Sequence, residues 1–314
     1  CIARFDEDTK TSFLDLYSKC DSEVVMNEES TETDEVSREK EYEETKMEGE
    51  DDNTPMNQSI LVSQEDGVCT IVLNRPEVFN SFDQVMGKAF QTALDEAAQD
   101  RAVRCVIITG NGRAFCAGQD LKEVTSEASP GFKVIVEETY NRSIRRICSM
   151  EKPVIAAVNG VAAGAGANIA LACDLTIAKE SASFIQAFSK IGLIPDSGGT
   201  WWLPRLVGMQ RAKALAFFGD KLSAKDAENM GLIYKAVRDE DFENVVSETA
   251  TRLSKMPTYA LGLTKTAFHE GMSSDIEEQL ARELDYQFRA AESDDYAEGV
   301  ASFLEKRTPN FQGK

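Results

Sequence analysis

The sequence predicts an α/β protein: a parallel or mixed sheet covered by helices, preceded by an unstructured acidic segment. Three observations predict it. From Ile60 onward, apolar or alternating runs of strand length exchange places with longer amphipathic runs of helix length. After Met209 nearly every segment has helical periodicity. Residues 21–55, by contrast, are mostly Glu, Asp, Ser and Thr, with too few large apolar side chains to offset chain entropy.

The elements follow in order. Residues 1–55 carry 19 acidic and 6 basic side chains, so −13 of the net −20 lies there and −7 in the rest. They are expected to form a disordered acidic extension, in which Phe13, Leu14, Leu16 and Tyr17 support at most a short helix. Residues 60–64 and 68–73 read as strands joined by the hairpin signal Glu65-Asp66-Gly67. Residues 83–98 place Val85, Met86, Ala89, Phe90, Ala93, Leu94 and Ala97 on one side of a helix. Residues 103–109, apolar without a break from Cys105 to Ile108, read as a strand covered on both faces. A helix is expected over 132–149, a strand over 154–158, a helix over 166–173 and a strand over 175–178. Within the helical C-terminal part, only residues 232–237 read as a strand. Ser223 with Asp226 begins one helix that Gly231 ends, and Ser293-Asp294-Asp295 begins the last.

Several function classes are set aside. The region after residue 55 has no basic stripe of the kind a nucleic-acid binder needs. No run of about 18 apolar residues suggests a membrane span. The N-terminal part is too acidic for a transit peptide and lacks the apolar stretch of a signal peptide. Seven cysteines without close pairs do not form a disulfide framework, and Cys105, Cys148 and Cys173 read as core residues, so a reducing, cytoplasmic setting is expected. No Cys/His cluster has metal-ligand spacing, and no metal is expected.

Three stretches could carry chemistry. Ala114-Phe115-Cys116-Ala117-Gly118-Gln119-Asp120-Leu121 follows a strand and lets the main chain approach a ligand. Asn159-Gly160-Val161-Ala162-Ala163-Gly164-Ala165-Gly166-Ala167-Asn168 opens a helix whose free N–H groups favour negative charge. Gly192-Leu193-Ile194-Pro195-Asp196-Ser197-Gly198-Gly199-Thr200 turns into another helix, where Asp196 reads either as a cap or as a functional carboxylate. None is a phosphate loop or a dinucleotide fingerprint. Cys116 has no His near it in sequence and reads as small packing rather than a nucleophile; the single His269 reads as an ordinary helical residue.

Together with Asn74-Arg75-Pro76 and Asn80, these stretches resemble the crotonase (enoyl-CoA hydratase/isomerase) superfamily, from about Met56 to the C-terminus. The Ile-Pro-Asp-Ser-Gly-Gly-Thr-Trp run and the terminal Phe-Gln-Gly-Lys look most like the ring-epoxide isomerases of bacterial phenylacetate breakdown. The resemblance implies a ββα spiral core over residues 56–255 and a helical C-terminal region, 256–314, that makes trimers or hexamers. It implies an acyl-CoA isomerase with the backbone N–H groups of Gln119 and Ala165 as oxyanion donors and Asp196 as the proton carrier. CoA would belong to the substrate, with no separate cofactor. Its adenine would lie along Ala117, Gly118, Gln119 and Asp120, with Arg75 and Lys265 as basic candidates for its phosphates. Gly164 would serve the oxyanion turn, and Phe188, Ile194 and Trp201 would line an apolar pocket that raises the Asp196 pKa. Hydratases of the family use two glutamates, and the matching positions here are Asn168 and Phe188, neither able to take up a proton. Dehalogenase chemistry with Asp196 as nucleophile, hydratase chemistry, and a non-catalytic CoA-binding scaffold are the alternatives.

Overall fold

The computed structural model describes residues 58–314, so the expected acidic extension lies outside the described residues. Strands β1 (Ile60–Glu65) and β2 (Val68–Leu73) form the antiparallel hairpin. Helix α1 (Gln84–Gln99) begins where the Asp83 carboxylate accepts the Met86 N–H at 2.8 Å. Its buried stripe centres on Met86, Phe90 and Leu94. Val85, expected on that side, is 71% exposed, because it lies a further ~100° round the helix from this i, i+4, i+8 row.

Next come β3 (Cys105–Gly110), β4 (Ala114–Cys116) and α2 (Leu121–Thr125). Helix α3 (Phe132–Val134) passes through a π-helical stretch, Ile135–Asn141, into α4 (Arg142–Ser149). The single helix expected over 132–149 is thus widened in its middle. Strands β5 (Val154–Val158) and β6 (Val161–Ala163) lead to α5 (Ala165–Ala172), then β7 (Leu175–Lys179) and β8 (Ser183–Ile185). Helix α6 (Gly199–Phe218) is broken at Gly208. Strand β9 (Lys221–Ser223), α7 (Ala224–Asn229) and β10 (Lys235–Val237) follow, with the Ser223 hydroxyl capping α7. The strand expected over 232–237 is shorter than predicted, because Leu232 and Ile233 are buried by the turn after α7 instead. Helices α8 (Phe242–Ser254), α9 (Thr258–Gly271), α10 (Ile276–Ala291) and α11 (Asp294–Glu305) complete the chain.

The strands form two sheets. One has the order β1-β2-β3-β5-β7-β10, parallel except for the first hairpin; the other is β4-β6-β8-β9, parallel except for β9. Successive turns of the chain therefore give one strand to the first sheet and the next strand to the second, which makes a spiral. The six-stranded sheet is covered on both faces. One face packs α1 residues such as Phe90 and Leu94 against Ile71, Val106 and Val154. The other packs Phe242, Val246 and Ala250 of α8 against Cys105, Ile107, Ile155 and Ile177. That double cover is why β3 and β5 read as unbroken apolar runs. Among the described residues no helix is long and apolar enough to cross a membrane.

The corners of the spiral are tied by polar side chains. Asn80, fully buried, donates to the carbonyls of Asn111 and Ala114 at 2.9 and 2.8 Å. At the C-terminus the Asp295 carboxylate accepts the N–H groups of Gln312 and Gly313 at 2.6 and 2.8 Å. Arg104 reaches from the spiral to the carbonyls of Met256 and Phe311 at 2.7 and 3.3 Å, joining the tail to the core.

Candidate active site

Two backbone loops come together where β4 and β6 pair. In the first, every N–H but one is used around the loop. That of Ala117 donates to Phe79, that of Gly118 to the Cys116 sulfur at 3.4 Å, and that of Asp120 to Phe82. The Gln119 N–H has no protein acceptor among the described residues. In the second loop Gly164 donates to Ile185, and Ala165 opens α5, so its N–H also has no protein acceptor among the described residues. The loops are in contact. Gly118, at φ +95°, has the position of an absent Cβ only 3.4 Å from the Ala165 nitrogen. A Cβ on Gly166 would stand 2.3 Å from the Cys116 carbonyl oxygen. Two free donors lie close together, and the dipole of α5 adds positive potential there.

Asp196 sits in a turn whose next two residues, Ser197 and Gly198, both have left-handed φ, +51° and +78°. Its carbonyl accepts the Gly199 N–H at 2.7 Å and the Asn168 side-chain amide at 2.9 Å. Asn168 is fully buried, one helical turn beyond Ala165, and accepts a hydrogen bond from Gln186 at 2.8 Å. The second loop and the Asp196 turn are thus bolted together by an amide. Burial pushes the Asp196 carboxyl up to about 6, although the Ser197 hydroxyl, which donates to Oδ1 at 2.9 Å, and its own backbone hydrogen bond pull it down.

The expected lining is only partly as predicted. Phe188, in a 3-10 turn at Ala187–Ile191, is buried with its ring tip 3.8 Å from where a Gly164 Cβ would be, so it borders the second loop. Ile194 is 78% exposed and does not line a pocket. Trp201 lies under the Arg205 guanidinium, 4.2 Å from its ring centre, and edge-on to Trp202. Trp202 rather than Trp201 packs beneath Gly198 in the Asp196 turn. The one-residue difference is a helix-face effect, since adjacent residues on α6 point about 100° apart.

Both basic candidates are occupied internally. Arg75 donates to the Ser81 carbonyl at 2.6 Å and pairs with Asp120 at 2.9 Å and Asp83 at 3.2 Å. Asp120 in turn caps α2 through the Lys122 N–H, so both side chains brace the first loop. Lys265 donates to the Ile147 carbonyl at 2.7 Å and to Asp174 at 2.9 Å, with only 8% of its side chain exposed. It fastens α9 to the spiral rather than standing free for a phosphate. Removing one partner of a buried pair typically costs about 3–5 kcal/mol. Lys265→Ala should therefore lower the melting temperature by roughly 10 °C while leaving the KM for an acyl-CoA unchanged. A raised KM with an unaltered melting temperature would return Lys265 to a ligand-binding role. Cys116 is fully buried, and its thiol is pushed up to about 12, as suits packing rather than attack.

Sequence reasoning did not find the parts played by Gln186 and Trp202, which join the site from distant elements. No local motif announces them; Asn168 alone was marked, by its place in the second loop.

Comparison with known proteins identifies the family. The family model described as "Enoyl-CoA hydratase/isomerase" matches residues 63–314. The chain is 47% identical over 262 residues to the 1,2-epoxyphenylacetyl-CoA isomerase of Escherichia coli (strain K12), covering 82% of this chain and all of that one. It is also 47% identical over 249 residues to a Rhodobacter capsulatus protein named "Probable enoyl-CoA hydratase", covering 79% of this chain and 96% of that one. The crystal structure of enoyl-CoA hydratase from Bacillus anthracis superposes with a TM-score of 0.76 at 34% identity, covering 82% of this chain and 100% of that one. Paired loops, spiral and sequence lead to one statement: the chain belongs to the enoyl-CoA hydratase/isomerase (crotonase) family and within it is similar to the phenylacetate-type isomerases.

Proposed function

We propose that the protein is an acyl-CoA isomerase that moves a proton along the acyl chain through a thioester enolate. One observation carries the reading. Asp196 is a partly buried carboxylate tied through Asn168 to the second loop, while the positions matching the two hydratase glutamates hold Asn168 and Phe188. An amide and a phenyl ring cannot activate water by proton transfer. A single carboxylate can take a proton from the carbon beside the thioester and return it farther along a conjugated enolate. The N–H groups of Gln119 and Ala165 would receive the oxygen as it gains charge, each contributing about 3 kcal/mol in the transition state. A carboxyl titrating at about 6 is ionised, and still a usable base, near neutral pH.

CoA enters as part of the substrate, its adenine lying along the Ala117–Asp120 main chain. With Arg75 and Lys265 engaged inside the protein, its phosphates would rely on other groups. Assembly into trimers or hexamers belongs to the same proposal. It is supported by the exposed apolar rows Ile276, Leu280, Leu284 and Phe288 on α10 and Phe303 and Leu304 on α11, with Leu284 73% and Phe303 83% exposed.

The test is double-bond migration in a 3-enoyl-CoA, with a ring-epoxide CoA thioester in parallel. Conversion of the 3-enoyl thioester, seen as growing absorbance of the conjugated 2-enoyl product, is the expected outcome. Turnover of the epoxide alone would narrow the activity to ring substrates. Binding of both without turnover of either would replace the isomerase by a CoA-binding scaffold.

A further inference from the structure

The π-helical stretch between α3 and α4 is a local irregularity that the fold has equipped on every side. Gly87 on α1 faces Thr139, where a Cβ would come within 2.5 Å of its methyl group, so α1 can press against the stretch. Gln91, one turn further along α1, donates its amide to the Glu138 and Thr139 carbonyls at 2.7 and 3.1 Å. The Ser143 hydroxyl adds a second donor to Thr139 at 2.6 Å. These bonds serve carbonyls near the widened turn, which carries Tyr140 inward. Its ring, almost fully buried, packs 6.0 Å from Phe82.

The Tyr140 hydroxyl ends on the first oxyanion loop. It donates to Gln119 Oε1 at 2.9 Å, and Gln119 Nε2 donates to Glu123 Oε2 at 2.8 Å. The other Glu123 oxygen accepts the Gln84 N–H, at the start of α1, at 2.9 Å. A carboxylate can only accept, so it fixes which end of the Gln119 amide faces it and leaves Oε1 for Tyr140. Phe82, the ring neighbour of Tyr140, also pins the main chain on both sides of Gln119. Its N–H donates to Gly118 at 2.7 Å and its carbonyl accepts from Asp120 at 2.8 Å. Burial holds the Tyr140 phenol well above its ordinary pKa, so it stays a donor.

We propose that Tyr140 is a positioning residue, aiming the Gln119 N–H at the thioester oxygen through the Tyr140–Gln119–Glu123 hydrogen-bond chain. This rests on the reading of that N–H as an oxyanion donor. A tyrosine kept only for packing needs its ring and not its hydroxyl, and a core position filled by phenylalanine would serve as well. The hydroxyl is instead matched to a side chain whose own main-chain N–H is left without a protein acceptor. In this proposal the residue acts through Gln119.

The experiment compares wild type, Tyr140→Phe, Gln119→Ala and the double variant, each with its melting temperature. Gln119→Ala keeps the backbone N–H and removes only the amide. Steady-state turnover of a 3-enoyl-CoA is measured, together with the ultraviolet enolate band of bound acetoacetyl-CoA. Tyr140→Phe is expected to lower kcat about tenfold, change KM less than about twofold and weaken the enolate band. The double variant is expected to match Gln119→Ala within about twofold, because both changes break one unit. Unchanged kcat in Tyr140→Phe, with or without a lower melting temperature, would overturn the proposal, as would effects that multiply in the double variant. A wild type that neither turns over the thioester nor polarises acetoacetyl-CoA would instead overturn the isomerase reading, and this proposal with it.

Discussion

Asp196→Asn is expected to reduce kcat by about a thousandfold or more, because it removes the proposed proton carrier while keeping shape and the Ser197 hydrogen bond. Acyl-CoA binding should persist, since the proposed oxyanion donors are main-chain groups. The wild-type kcat/KM should rise with pH through a midpoint near 6 and level off above it, as the carboxyl ionises. The residual activity of the variant should lack that limb. Stability should move the other way. The folded pKa of about 6 exceeds the unfolded value of about 3.9, so the folded state holds this proton more tightly. The buried carboxylate therefore destabilises the fold by up to about 3 kcal/mol above pH 6, and the penalty fades as pH falls toward 4. The variant should melt several degrees above wild type at pH 8 and lose that advantage at pH 4. Activity within tenfold of wild type would remove Asp196 from the chemistry.

Gly166→Ala should damage both the fold and the reaction. The added methyl would lie 2.3 Å from the Cys116 carbonyl oxygen and 2.7 Å from its Cβ and Sγ, all within buried structure. One loop has to move, and backbone cannot move aside as a flexible side chain can. Overpacking of this kind costs about 1–3 kcal/mol or more. The displacement also separates the two donors, and a shift of about 1 Å at a reacting centre can cost roughly a hundredfold in rate. Circular dichroism, thermal melting and turnover would check it. A variant with wild-type melting and kcat would show that the loops are not clamped at this point.

The sequence made some of this readable and hid the rest for physical reasons. Strands β3 and β5 announce themselves because double burial leaves the apolar runs Cys105–Ile108 and Val154–Val158. Asp83 and Ser223 mark helix starts through local hydrogen bonds. The two close-packed loops and the Asp196 turn were legible because a close main-chain approach needs small residues in short, contiguous motifs. The second sheet was not, since β4, β6, β8 and β9 have three residues each and no measurable periodicity. Pairings such as Lys265 with Asp174, or Tyr140 with Gln119, join residues far apart in the chain, and no local pattern encodes them. For the same reason Arg75 and Lys265 looked available for phosphates, and Ile194 looked like lining.

The spiral has a consequence for how such a protein can change over generations. The loops bearing Gln119 and Ala165 continue from β4 and β6, which pair in parallel as neighbours in one sheet. Adjacent strands stand about 4.8 Å apart whatever their side chains. The separation of the two donors therefore follows from peptide geometry together with the small residues, such as Gly166, that let the two loops meet. Side chains bordering the second loop, such as Phe188, can be replaced without shifting the pair of N–H groups. A lineage built this way can explore new substrates in single steps, because the costly part of the machinery is copied with the backbone.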